Sequence, residues 1–114
     1  MSFARGIVLT RLDALPDPGV IVVVPHPDEP FASILVTRKG QAISAFRNKC
    51  PHAGYPLQRS NGQVMLQEGR YIVCAAHGAS FGLVSGECAG GPCNNGDALE
   101  RIAIEVRDGI VRVA

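Results

Sequence analysis

Two short units in this chain each set a cysteine close to a histidine: Cys50-Pro51-His52 and Cys74-Ala75-Ala76-His77. Each offers one soft thiolate and one imidazole, so together they supply four metal ligands of two kinds. A lone cysteine is often a small buried apolar residue, and a lone histidine is usually a satisfied polar group. Two mixed units, each followed by a glycine-containing loop, point instead to a metal centre.

Two metal chemistries accept two Cys and two His. Tetrahedral zinc is one. Zinc fingers, however, usually pair Cys with Cys and His with His, whereas each unit here is mixed. The other is a Rieske-type [2Fe–2S] centre, in which one iron keeps two Cys and the other takes two His. Two loops that each give one Cys and one His span both irons, so mixed spacing has a physical reason for a two-iron cluster.

The residues around the ligands resemble the Rieske [2Fe–2S] family. Its paired signatures, C-x-H and C-x-x-H, are both present. HAGYPL after the first pair is similar to the family's H-x-G-x-x-L, and HGASFGLVSGE after the second is similar to H-G-x-x-F-x-x-x-x-G. Gly90-Gly91-Pro92 resembles the proline-bearing loop that covers the cluster, and ALERIAIEVRDGIVRV resembles the family's last hairpin. The similarity runs from about Ala42 to the C-terminus. The spacer between the pairs is somewhat long, 21 residues from His52 to Cys74, which enlarges the loop around Arg59 to Gly69.

The resemblance implies one [2Fe–2S] cluster, with Cys50 and Cys74 on the inner iron and His52 and His77 on the outer iron, towards the surface. It implies that Gly54, Gly78, Gly90 and Gly91 let backbone N–H groups approach the cluster sulfurs, and that Pro92 shields them from water. Members in respiratory complexes carry a disulfide between the two cluster loops; the matching positions here are Tyr55 and Ala76. Those members also place a serine and a tyrosine after the second histidine, where this chain has Ala79 and Phe81. Hydrogen bonds to the sulfurs stabilise the reduced cluster and raise its potential. Their loss predicts a midpoint in the lower part of the Rieske range of roughly −150 to +300 mV, as in soluble ferredoxins of aromatic-ring oxygenases.

Cys88 and Cys93, in GECAGGPC, flank the proline loop. The sequence favours reading them as two small residues in a tight loop, over a local disulfide, a thiol pair or zinc ligands. His26, in PHPDEP beside Asp28 and Glu29, reads as a solvated loop residue.

The elements that must position these ligands read as all-β. Gly6 to Leu12 predicts a first strand, Asp17-Pro18-Gly19 a turn, and Val20 to Val24 a β-branched strand. PHPDEP predicts an exposed loop. Ser33 to Thr37 and Gln41 to Phe46 predict a hairpin turning at Arg38-Lys39-Gly40. The C-terminal alternation predicts a second hairpin turning at Asp108-Gly109. QRSNGQVMLQEG is ambiguous. The expectation is a single Rieske domain over 1–114, an antiparallel β-sandwich. Its scaffold comprises about 1–47 and 94–114, and a loop-built cluster-binding part occupies about 48–93.

The composition bounds the function. With 114 residues, the chain is one domain in length. Eleven basic and ten acidic residues give a net charge of +1, which offers no electrostatic footprint for nucleic acid or an acidic membrane. No signal-peptide core appears, and Val20 to Val24 is far too short to span a bilayer, so a cytoplasmic location is expected. Only three histidines are present, too few for both this cluster and the two-His, one-carboxylate iron of an oxygenase. The expected role is therefore a monomeric, non-catalytic electron carrier between a reductase and a terminal oxygenase or similar enzyme. The exposed edge of His52 and His77, ringed by Ala53, Gly54, Tyr55, Ala79, Gly91 and Pro92, would dock the partners. The alternatives are a small subunit of a larger reductase, of nitrite reductase type, and a zinc-binding interaction module.

Overall fold

The computed structural model describes residues 3–114 apart from 27, 30, 31, 52–55, 60, 77, 92, 94 and 95. Among these residues ten strands form three antiparallel sheets: β1 (Val8–Arg11), β2 (Gly19–Val23), β3 (Ile34–Lys39), β4 (Ala42–Arg47), β5 (Met65–Gln67), β6 (Tyr71–Val73), β7 (Ser80–Gly82), β8 (Cys88–Gly90), β9 (Ile104–Arg107) and β10 (Ile110–Val113). The sheet orders are β1-β10-β9, β2-β3-β4 and β5-β6-β7-β8.

β3 explains the layering. Ile34, Leu35, Val36 and Thr37 are all fully buried, and successive strand side chains point to opposite faces. Ile34 and Val36 pack with Ala45 against Leu9, Val111 and Val113 of the β1-β10-β9 sheet. Leu35 packs with Phe46 on the other face, against Leu57, Ile72, Phe81, Leu83 and Leu99. The central sheet is thus sandwiched, which is why its strand is a continuous apolar run rather than an alternation.

Local differences from the sequence reading have local causes. The first strand, Val8–Arg11, is shorter than Gly6 to Leu12 at both ends: Gly6 has a positive φ of 84, and Leu12–Ala14 turn into a short 3-10 helix. The β3–β4 hairpin pairs Lys39 with Ala42, so its turn is the two residues Gly40-Gln41 and not Arg38 to Gly40. The ladder continues because Arg38 is anchored, donating to the carbonyls of Gly40 and Leu12. The ambiguous QRSNGQVMLQEG contains β5, whose three residues are too few to show a period. The C-terminal hairpin turns at Asp108-Gly109, with Arg107 paired to Ile110.

The central sheet is joined to the β5–β8 sheet through Phe46. Gly86 lies at the turn between β7 and β8 with φ +72, and a Cβ there would come within 2.5 Å of the Phe46 ring. Arg101 stacks over the other aspect of this joint, 5.1 Å from the Phe46 centroid, and donates to the Val84 carbonyl at 2.9 Å.

Candidate metal centre

The first cysteine-bearing loop leaves β4 and turns inward at once. Cys50 is 1% exposed. Asn48, two residues earlier, is itself buried, and its amide is fully engaged. Its Nδ2 donates to Ser33 Oγ at 2.9 Å and to Gln58 Oε1, and its Oδ1 accepts from the Leu57 N–H at 2.9 Å. The loop is therefore closed at its base, residue 48 against residue 57.

The second loop connects β6 to β7. Val73 pairs with Ser80, and residues 74–79 form the connection. Its base is pinched by two backbone bonds: Cys74 N–H to the Ala79 carbonyl at 2.8 Å and Gly78 N–H to the Cys74 carbonyl at 2.9 Å. Cys74 points into the interior and is 0% exposed. Ala75, Ala76 and Gly78 stay exposed. The two loops meet where the Ala75 N–H donates to the Leu57 carbonyl at 3.1 Å.

The third loop follows β8 and leans on the second. Gly91 has φ +78, and a Cβ there would lie 2.7 Å from the Gly78 carbonyl oxygen. Only a residue without a side chain permits this backbone-to-backbone approach.

Cys50 and Cys74 thus come from different loops into one apolar core with Leu57, Ile72, Ala79 and Phe81, and neither forms a disulfide. A buried thiolate is costly unless a cation neutralises it. Two thiols delivered into a closed interior are a donor set suited to iron or zinc and fit the sulfur half of a [2Fe–2S] site. His52 and His77 lie outside the described residues, as do Ala53, Gly54, Tyr55 and Pro92.

Two expectations need correcting. Cys88 and Cys93 are bonded to each other, with a Cα–Cα separation of 6.1 Å, and are not two independent small residues. β8 and the turn after it bring the two side chains together on the inner side of the loop, against the core that holds Cys50 and Cys74. Ala79, placed in the exposed docking rim, is 0% exposed, because the β6–β7 ladder turns its side chain inward. The sequence reading also missed Asn48, Ser33 and Gln58. Nothing in NKC or in the Ser33 stretch distinguishes a buried amide network from solvated loop residues.

The family model for the Rieske [2Fe-2S] domain matches residues 9–106. No curated protein sequence matches the chain. Among solved structures, the ferredoxin of carbazole 1,9a-dioxygenase from Nocardioides aromaticivorans IC177 is 20% identical, with a TM-score of 0.72 over 97% of this chain and 98% of that one. A chain from the complex of reduced oxygenase and oxidised ferredoxin in carbazole 1,9a-dioxygenase is 25% identical, with a TM-score of 0.73 over 94% of this chain and 90% of that one. A protein described as a nitrite reductase NADPH small subunit is 19% identical, with a TM-score of 0.63 over 97% and 99% of the two chains.

Proposed function

Since the chain belongs to the Rieske [2Fe–2S] domain family and carries the family's single cluster on two Cys and two His, we propose that it is a free-standing electron carrier. It takes single electrons from a reductase and passes them to an oxygenase or a similar terminal enzyme. The observation that carries this reading is the pair of buried thiols, Cys50 and Cys74, delivered by two different loops into one apolar core, on a chain 25% identical to one in the complex of oxygenase and ferredoxin in carbazole 1,9a-dioxygenase.

On this reading, Cys50 and Cys74 bind the inner iron, and His52 and His77 bind the outer iron. The whole of 1–114 acts as one unit, with 48–93 as the cluster-binding part. The bound cluster supplies a one-electron couple. The chain's residues bury the thiol ligands, keep water from them with Leu57, Ile72 and Phe81, and leave a small uncharged tip. Among the described residues that tip contains Pro51, Ala75, Ala76, Gly78 and Gly91, all exposed. Such a surface suits transient redox docking, which buries less than roughly 1,200 Å², and suits a carrier that is monomeric between encounters. No described helix is long and apolar enough to cross a membrane.

The similarity to a nitrite reductase small subunit, over 99% of that chain, supports a second reading as a subunit of a larger reductase. Both readings require the same cluster. The test is pulsed EPR of the dithionite-reduced protein. Nitrogen couplings from two imidazoles are expected, and they vanish one at a time in His52→Ala and His77→Ala. A colourless, EPR-silent protein containing stoichiometric zinc would overturn the assignment. Gel filtration of the native protein from its own cell extract separates the two readings: a free carrier elutes at its own 12.0 kDa mass, a subunit with its enzyme.

A further inference from the structure

The two cysteine-bearing loops carry no covalent tie to each other at Tyr55 and Ala76, since neither is a cysteine. Their relative position must still be fixed. A cluster that bridges the loops has a geometry set by how they sit together, and that geometry in turn controls its electronic structure. A continuous hydrogen-bond chain does this work. It starts at Ser33, at the entry to β3, and both the carbonyl and the hydroxyl of Ser33 accept from Asn48, at 3.0 and 2.9 Å. It passes through the Asn48 side chain to the Leu57 N–H at 2.9 Å. It leaves through the Leu57 carbonyl to the Ala75 N–H at 3.1 Å, one residue after Cys74.

We propose that Asn48 is a positioning residue for the cluster, holding the two ligand-bearing loops in register through Leu57. Asn48 is 3% exposed and Leu57 is 0% exposed, so these bonds are shielded from water that could replace them. The amide is suited to the task because it has two donors and an acceptor in one plane. The donors fasten Asn48 to the scaffold at Ser33 and to Gln58, and the acceptor closes the first loop. Removing the amide orphans the buried Leu57 N–H, which is strongly disfavoured. The loop base then opens, and the Leu57 carbonyl no longer holds a fixed place for Ala75.

The proposal rests on the ligand reading above, and the experiment separates the two. The wild-type protein must first show the two-imidazole EPR signal; without it the ligand reading fails before Asn48 is tested. In Asn48→Ala, the g-values of the reduced cluster are expected to spread and the midpoint potential to move. Cluster loss to a chelator should quicken on the order of tenfold, the scale of one orphaned buried donor. Asn48→Asp keeps an acceptor for Leu57 and should return the EPR line shape towards wild type. The control is Val111→Ala, in the opposite core, which lowers the melting temperature without touching either loop. If Asn48→Ala does not assemble a cluster, Gln58→Ala and Ser33→Ala each delete one bond of the network and should show the same changes in smaller degree. Wild-type EPR and release rates in the Asn48 variant, or in both fallback variants, would overturn the proposal. So would the same changes in Val111→Ala.

Discussion

Ala79 is fully buried in the core that holds Cys50 and Cys74, and its backbone carbonyl accepts from the Cys74 N–H. It is therefore near these two thiols with no hydroxyl to offer. Phe81, two residues on and also 0% exposed, is in the same position. A hydroxyl at residue 79 would stabilise the more negative reduced cluster. One hydrogen bond worth about 1.4 kcal/mol is about 59 mV for a one-electron couple. Ala79→Ser is accordingly expected to raise the midpoint potential by some ~60 mV, read by protein-film voltammetry. An unchanged or lower potential would show that this position does not reach the cluster. That Cys50 and Cys74 belong together was legible because metal-ligating chemistry is written in residue type and spacing, and the fold does bring both into one core. Asn48 was not legible, because an asparagine has the same letter whether it is solvated or locks a loop, and only burial tells them apart.

Among the elements, hairpins with a strong turn pair were legible and short strands were not. Asp108-Gly109 marks its turn by chemistry that any chain would obey. β5, β7 and β8 are three residues each, held by their neighbours in the ladder, while Phe46 of the central sheet and Arg101, which bridges to it, pack against the turn between β7 and β8, and no local pattern encodes that. The same limit explains Cys88 and Cys93. Their pairing depends on β8 docking against β7, a contact at Phe81 and Cys88 that a one-dimensional reading does not contain. The bridge closes a ring with a sequence separation of five that contains Gly91, whose backbone abuts Gly78. Chain-entropy arguments give a ring this short about 2 kcal/mol of stabilisation. The double variant Cys88→Ser, Cys93→Ser is expected to lose on the order of 2 kcal/mol in urea unfolding while keeping the visible and EPR spectra. Loss of the spectra would make these cysteines ligands, and unchanged stability would mean that the bridge does not form in solution.

At the scale of the whole molecule, the two ends of the chain close on each other. The Gly6 N–H donates to the Val113 carbonyl, and the Leu12 N–H donates to the Gly109 carbonyl. The segment entering the last hairpin returns along β4, with the Arg47 N–H on the Glu100 carbonyl and the Ile102 N–H on the Ala45 carbonyl. Which sheet faces which is decided by these contacts between distant residues, so the sequence indicates an all-β scaffold without its layering. One ion pair reports on this closure. Arg47 Nε bonds Glu100 Oε2, and the Arg47 guanidinium, first through that hydrogen bond and then through its charge, holds the Glu100 carboxyl below the ordinary carboxylate range. A carboxyl whose folded pKa is depressed stabilises the fold at pH values above its unfolded pKa. That contribution is lost as pH falls through the folded pKa. Glu100 is 65% exposed, so solvent screens the pair and its worth is under about 1 kcal/mol. Glu100→Gln should therefore lower the urea midpoint slightly at pH 7, and the difference from wild type should shrink to nothing below the carboxylate range. Comparing variant and wild type at each pH cancels whatever acid does to the cluster, because both carry the same one. A deficit that persists undiminished in acid would mean that the Glu100 side chain serves packing and not charge.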